Sequence, residues 1–168
     1  MEKERIAIEN EILERLAGKI FLLQDLANKR EIIFQKFLEV YNSTSGQSLV
    51  SKLQNLDLET LFKKFLSYGV IDELLADPDV EDIMINHLSP IYVHKTKGGL
   101  IRTDKKFESR EELDLFIKKL VIFSGRKTIN KINNVELVEI RGRGNIVYSP
   151  FGPQITITRA KERPLSII

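Results

Sequence analysis

The sequence predicts an α+β fold in which a helical N-terminal segment is followed by a mostly antiparallel sheet packed with one long helix. Apolar residues recur every three or four positions through the first quarter of the chain, a spacing typical of amphipathic helices. In the C-terminal half, short segments alternate apolar and polar residues between Gly, Pro and Asn, which indicates strands and turns. One strong helical pattern interrupts these strands, and the combination predicts the α+β class.

The N-terminal helical pattern runs to about Tyr41 and predicts either one long helix or two stacked helices. The polar run at residues 42–48 breaks this pattern, and we expect a linker or loop there. Asp57 is expected to cap a further helix, and Gly69 is placed to end it. The predicted helical segment therefore covers residues 1–68.

Residues 69–168 form the predicted α+β domain. Ser109 and Glu112 match a capping box, and the apolar face that follows them predicts the long helix. Glycines 142 and 144 are expected to form a turn between two antiparallel strands. The predicted strands are 81–85, 91–93, 100–102, 135–140, 145–148 and 154–158.

Composition excludes several classes of site. The 168 residues include no cysteine, which excludes disulfides, thiolate zinc sites and cysteine nucleophiles. No apolar run approaches the roughly 20 residues of a membrane span, and the first residues lack the apolar core of a signal peptide. We therefore expect a cytoplasmic protein.

The C-terminal third is the basic part of a chain whose net charge is only +2. Residues 126–168 hold eight Lys and Arg against three Glu, which suits either a solvated basic surface or a site for phosphate or nucleic acid. Arg143 lies at the edge of the predicted glycine turn, where a strand begins, and Arg159 ends the last strand, so both guanidinium groups are expected at one sheet edge. Planar guanidinium forks suit phosphate oxygens. The alternative is that each arginine pairs with a nearby glutamate, the candidates being Glu136, Glu139 and Glu162.

The chain contains no phosphate-binding loop. Such a loop needs the pattern G-x-x-x-x-G-K-[ST], in which backbone amides hold phosphates while Lys neutralises them. The segment from Gly125 to Thr128 reads Gly-Arg-Lys-Thr, but Arg126 separates Gly from Lys, and Leu120 stands where the first Gly is needed. Arg126 and Lys127 are interpreted as a cationic cap after a helix C-terminus. We therefore expect no ATP hydrolysis by this chain alone.

No metal site is predicted. An EF-hand beginning at Asp77 needs Gly where Asp82 stands and Glu where Leu88 stands. His87 and His94 flank a predicted strand, and neither has a carboxylate at ligand spacing along the sequence. Both are interpreted as lone structural or surface histidines.

A set of ordered segments resembles the N-terminal domain of secretion ATPases of the type II/type IV (GspE/VirB11-like) superfamily, including its archaeal-type members. The resemblance covers roughly residues 70–168, and the preceding helices are similar to the extra helical segment of some members. The matching segments are Glu73–Asn86 (ELLADPDVEDIMIN), Ile91–Val93 with Gly99–Leu100 and Phe107, Ser124–Arg126 (SGR), Arg143 ahead of Ile146–Pro150 (IVYSP), and Gly152–Arg159 (GPQITITR).

This resemblance implies a regulatory and force-transmitting domain of a hexameric secretion or pilus-type ATPase. In such enzymes the N-terminal domain packs over nucleotide held by a C-terminal RecA-like domain, which is absent from these 168 residues. Arg143 and Arg159 would then contact the nucleotide phosphates. ATP and Mg²⁺ are implied only for the full-length parent, and no cofactor is expected for this chain alone, which is interpreted as a fragment or a truncated product.

The resemblance also implies partners. They are the RecA-like domain, neighbouring subunits of the hexamer, and a membrane platform protein that the N-terminal helices would contact at the inner face of the cell membrane. Two other hypotheses stay open. One is a stand-alone protein-protein adaptor, and the other is a nucleic-acid-binding module. The second is weakened because only Tyr148 and Phe151 supply aromatic rings in the basic third, so no specific nucleic acid is expected.

Overall fold

The computed structural model describes residues 2–20, 25–53, 56–137 and 140–160, and these ranges confirm the α+β class. The helices come first, apart from one long helix inserted between strands. They are α1 (Glu2–Leu16), α2 (Leu26–Tyr41), α3 (Thr44–Val50), α4 (Leu58–Leu66), α5 (Val70–Leu75) and α6 (Arg110–Phe123). None of the described helices is long and apolar enough to span a membrane.

The strands form a single antiparallel sheet with the order β3-β2-β1-β6-β5-β4. The predicted hairpin is confirmed as β2 and β3. The strands are β1 (Val80–Asn86), β2 (Tyr92–Lys95), β3 (Gly99–Arg102), β4 (Ile132–Leu137), β5 (Gly142–Ser149) and β6 (Gly152–Arg159).

The N-terminal helical pattern forms two stacked helices, α1 and α2, and not the one long helix that was the alternative. The short helix α3 occupies most of the loop predicted at residues 42–48. That loop prediction is wrong because α3 starts directly after Asn42, the C-cap of α2, with Ser43 as its N-cap. The Ser43 hydroxyl accepts a hydrogen bond from the Gly46 amide at 3.0 Å and so caps α3. Gly46 also lies so close to the Val40 carbonyl that a Cβ would stand 1.8 Å from that oxygen. The polar run therefore separates two helices at Asn42 and Ser43, and its remaining residues lie inside the second helix, α3.

The caps predicted at Asp57 and Ser109 are confirmed. The Asp57 carboxylate accepts a hydrogen bond from the Thr60 amide, and the Ser109 hydroxyl accepts one from the Glu112 amide at 3.1 Å. Gly69 does not end α4, which stops at Leu66. With a φ of 62° it instead directly precedes α5.

The turn predicted at Gly142 and Gly144 is wrong, because both glycines lie inside β5. A Cβ at Gly144 would stand 2.8 Å from a Val135 methyl, and one at Gly142 would stand 2.7 Å from the Thr158 carbonyl oxygen. These glycines therefore allow neighbouring strands and side chains to approach closely. The connection from β4 passes instead through Arg141, which has a φ of 51°.

Helix α6 lies between the sheet and the N-terminal helices, and nine of its 14 residues are buried. Leu113, Ile117 and Leu120 belong to a core shared with the inner face of the sheet. Leu115 and Phe123 belong to a second core formed with α1, α2 and α4. The molecule therefore has three layers, with α6 in the middle.

A buried ion pair joins the outer helices to α6. The Lys119 ammonium lies 2.9 Å from Glu9 Oε1, and both side chains are about 95% buried, with relative exposures of 5% and 4%. Lys119 also donates a hydrogen bond to the Ser67 carbonyl at 3.1 Å, and the Arg5 guanidinium binds the other Glu9 oxygen. Burial lowers the pKa of Lys119, and the facing Glu9 carboxylate opposes that shift.

We expect Lys119→Met to lower the free energy of unfolding by about 3 kcal/mol, because it removes one partner of a buried pair and leaves Glu9 less compensated. The matched control is Lys118→Met, whose native ammonium forms a partly exposed pair with Glu14 at 3.5 Å and should contribute less than about 1 kcal/mol. Urea denaturation of both variants tests this expectation. Equal losses of stability would contradict it.

Candidate phosphate-binding site

One face of the sheet is left open by α6 and carries polar side chains. Along β6, Ile155 and Ile157 are buried beneath α6, whereas Thr156 and Thr158 lie on the opposite, exposed face. Register places Arg143 of β5 directly beside Thr158, on the same exposed face. Basic and hydroxyl groups therefore meet on the open face at the β4–β6 end of the sheet.

A depression of about 470 Å³ lies where these strands end. We call it the arginine depression. Three arginines and one glutamate line it, so its charged groups are predominantly cationic. Its residues are Glu136, Leu137, Arg141, Gly142, Arg143, Thr158, Arg159 and Ala160.

Arg143 is exposed, and within the described ranges it forms no hydrogen bond or ion pair. Glu136 is its cross-strand partner in β4, yet the two side chains are not within ion-pair distance. The pairing that the sequence offered as an alternative is therefore not formed with Glu136, while Glu139 and Glu162 lie outside the described residues. The guanidinium of Arg143 has donors available for an anionic ligand.

Arg159 borders the same depression but belongs to the other face of the sheet. Its side chain shares the side of Ile157, and its guanidinium donates to the main-chain carbonyls of Leu75 and Asp77, the latter at 3.2 Å. These carbonyls lie at the C-terminal end of α5, where a cationic donor is favourable. Both arginines line the same depression at one end of the sheet, as the sequence led us to expect. Their side chains, however, lie on opposite faces of the sheet.

A second depression, of about 550 Å³, lies beside the first and contains residues that the sequence prediction did not include. Arg126, Thr156 and Asn145 line it together with Arg143 and Thr158. The alternation of Thr and Ile in residues 154–158 was the signal that both threonines share a face. Arg126, interpreted from sequence as a helix cap, lines this depression with Arg143.

The histidines differ from expectation in one respect. His94 Nδ1 lies 3.4 Å from Glu81 Oε2 and 3.8 Å from Asp82 Oδ2, so the interpretation of His94 as a lone histidine is wrong. The reason is cross-strand pairing, since Asp82 of β1 faces His94 of β2 and the sequence spacing does not show this. His87, in contrast, packs at Gly152 in the turn after β1.

No known family model matches the chain. An uncharacterized protein of Methanocaldococcus jannaschii is 42% identical over 57 residues, which are 33% of this chain and 23% of that protein. The crystal structure of the VirB11 ATPase from the Brucella suis type IV secretion system in complex with sulphate aligns with a TM-score of 0.47 and 14% identity. That alignment covers 57% of this chain and 31% of the VirB11 chain. The chain thus spans less than a third of both proteins, and no assignment of role rests on these similarities.

We expect Arg159→Ala to lower the free energy of unfolding by about 1.5–3 kcal/mol, because it leaves the Leu75 and Asp77 carbonyls without their charged donor. Arg143→Ala is the matched control, and its effect should stay within about 0.5 kcal/mol because the side chain is exposed and unbonded among the described residues. Chemical denaturation monitored by circular dichroism measures both. Equal stabilities of the two variants would contradict this assignment.

Proposed function

We propose that this chain is the nucleotide-capping, force-transmitting N-terminal domain of a secretion or pilus-type ATPase. The observation that supports this most strongly is the arginine depression, in which the Arg143 guanidinium lies beside Thr158 on an exposed sheet face and has no partner among the residues that the structure describes. A guanidinium fork beside a hydroxyl suits the oxygens of a phosphate group. Arg159, the other arginine predicted to contact phosphate, fixes the end of β6 and lines the same depression, and some of its N–H donors bind nothing within the described ranges.

The sequence segments that resemble secretion ATPases support the proposal through their positions in the fold. Residues 73–86 form the end of α5 and β1, and residues 152–159 form β6, which pairs with β1 in the centre of the sheet. Residues 124–126 follow α6 and bring Arg126 to the depression beside Arg143. The matching segments are thus far apart along the chain and gather around the same sheet.

The chemistry available to the domain is charge stabilisation. Arg143 would donate to phosphate oxygens of a nucleotide held by a C-terminal RecA-like domain, and its contribution would grow as negative charge develops during hydrolysis. ATP and Mg²⁺ would bind mainly to that second domain, since this chain has no phosphate-binding loop. Movement of the sheet with the nucleotide state would then pass to neighbouring subunits of a hexamer.

The N-terminal helices would transmit this movement. Their apolar faces pack against α6 and against one another in a shared core, so a displacement of the sheet carries the helices with it. The proposed contact with a membrane platform protein would use the outer, polar surface of these helices, because Leu26 is the one large apolar side chain that the described helices α1–α4 leave well exposed.

We expect pyrophosphate to shift the arginine side-chain NMR signal of Arg143 in the isolated chain, with a Kd of about 1 mM or weaker because no backbone loop adds donors. Arg143→Ala should abolish the saturable response at the depression. Arg102→Ala is the control, since Arg102 is an exposed arginine in β3, the edge strand that lies farthest from β4 and β5 in the same sheet. Identical titrations of the two variants would reject the phosphate site and favour the protein-protein adaptor.

In an ATPase that joins this chain to its proposed RecA-like domain, Arg143→Ala should lower kcat by about 10-fold or more and change KM less. Arg143→Lys should restore only part of the activity, because one ammonium does not reproduce a bidentate fork. Steady-state turnover, measured beside the Tm of each variant, checks this. Wild-type turnover in Arg143→Ala, or a loss that Arg102→Ala reproduces, would contradict the proposed role.

A further inference from the structure

We propose that Glu81, Asp82 and His94 form a binding site for a divalent transition-metal cation such as Zn²⁺ on the open face of the sheet. Their candidate ligand atoms, two carboxylate oxygens and one imidazole nitrogen, all lie within 4.8 Å of one another. The cluster spans β1 and β2 and is separated from Arg143 by β6. It is independent of the proposed phosphate contact.

A β-bulge creates the cluster. Consecutive residues of a regular strand point to opposite faces, so Glu81 and Asp82 would normally be separated by the sheet. The register between β1 and β2 shifts between Val80 and Asp82, which places both Glu81 and Asp82 opposite His94. The bulge turns the Glu81 carboxylate toward the same imidazole that Asp82 faces.

The donor atoms are also oriented. Thr96 Oγ1 donates a hydrogen bond to Glu81 Oε1 at 2.8 Å, which leaves Oε2 directed at His94 Nδ1, 3.4 Å away. His94 Nδ1 is shielded from solvent and has no hydrogen-bond partner among the described residues, although the side chain as a whole is 44% exposed. A cation bound between the three groups would satisfy this nitrogen and neutralise the facing carboxylates.

The ligand types select the class of metal. One imidazole nitrogen with two carboxylate oxygens suits Zn²⁺ and similar first-row cations, whereas Ca²⁺ and Mg²⁺ prefer oxygen ligands alone. Three protein ligands leave at least one position for water.

The surroundings of the cluster leave room for a cation. Lys95, the nearest cation along β2, is held 2.7 Å from Asp77 in an ion pair. The partial exposure of Glu81 and Asp82, 17% and 31%, leaves a path from solvent.

The experiment is calorimetric titration of the tag-free, chelator-treated chain with ZnCl₂, repeated with CoCl₂ and read by visible absorption. We expect one Zn²⁺ per chain, a higher Tm in its presence, and Co²⁺ absorption bands of a protein-bound ion. His94→Gln and Glu81→Gln should each weaken binding by about 10-fold or more. The control is His87→Asn, which removes the other histidine of the chain, at a position with a φ of 51° that Asn tolerates, and should bind as the wild type does.

Two outcomes would overturn the proposal. One is a wild-type chain that binds no more Zn²⁺ than His94→Gln, which would leave the cluster as a cross-strand contact of His94 with the two carboxylates. The other is an equal loss of binding in His87→Asn, which would place the metal elsewhere. Because the cluster is partly exposed, circular dichroism of each variant without metal should match the wild type, and Asp82→Asn supplies a third ligand variant should His94→Gln fail to fold.

Discussion

The two-sided burial of α6 is the constraint on which the other parts of the structure depend. A surface helix normally buries one apolar stripe, but here Ile117 packs toward the sheet while Leu115 and Phe123 pack toward the N-terminal helices. Each fully buried aliphatic or aromatic side chain contributes roughly 1.5–3 kcal/mol, so α6 stabilises both cores at once. Lys119 is the polar exception, and its charge is matched by Glu9.

Because α6 covers only one face, the sheet can expose the other. An antiparallel sheet with one solvated face alternates apolar and polar residues, and β4 and β6 both show this alternation clearly. The polar row that results runs from His94 and Asp82 across Thr158 to Arg143. Both proposed binding sites use this row, the cation site at its β1–β2 end and the phosphate contact at its β5 end.

The features that local sequence determines were predictable. Asp57 and Ser109 cap helices because their side chains accept hydrogen bonds from amides three residues onward, and this information lies within one turn. The alternating pattern of residues 154–158 likewise predicted β6. The fold class, the long helix and the hairpin followed from such local signals.

The features that depend on distant residues could not be predicted from the sequence. Arg159 binds carbonyls 82 and 84 residues earlier in the chain, so its orientation toward α5 has no sequence signature. Gly142 and Gly144 were interpreted as a turn, whereas the contacts that require glycine come from neighbouring strands. The approach of His94 to Glu81 and Asp82 depends on a bulge and on strand register, which residue spacing alone does not reveal.

Native-state amide hydrogen exchange tests most directly whether α6 unites the layers. If its two faces bind the sheet and the helices into one unit, the protected amides of α1, α2 and α4 should exchange with the same free energy of opening as those of α6 and the central strands β1 and β6. Opening of the N-terminal helices at a clearly lower free energy, with α6 still fully protected, would contradict the account. The helical segment would then be an appendage that the α+β domain does not need.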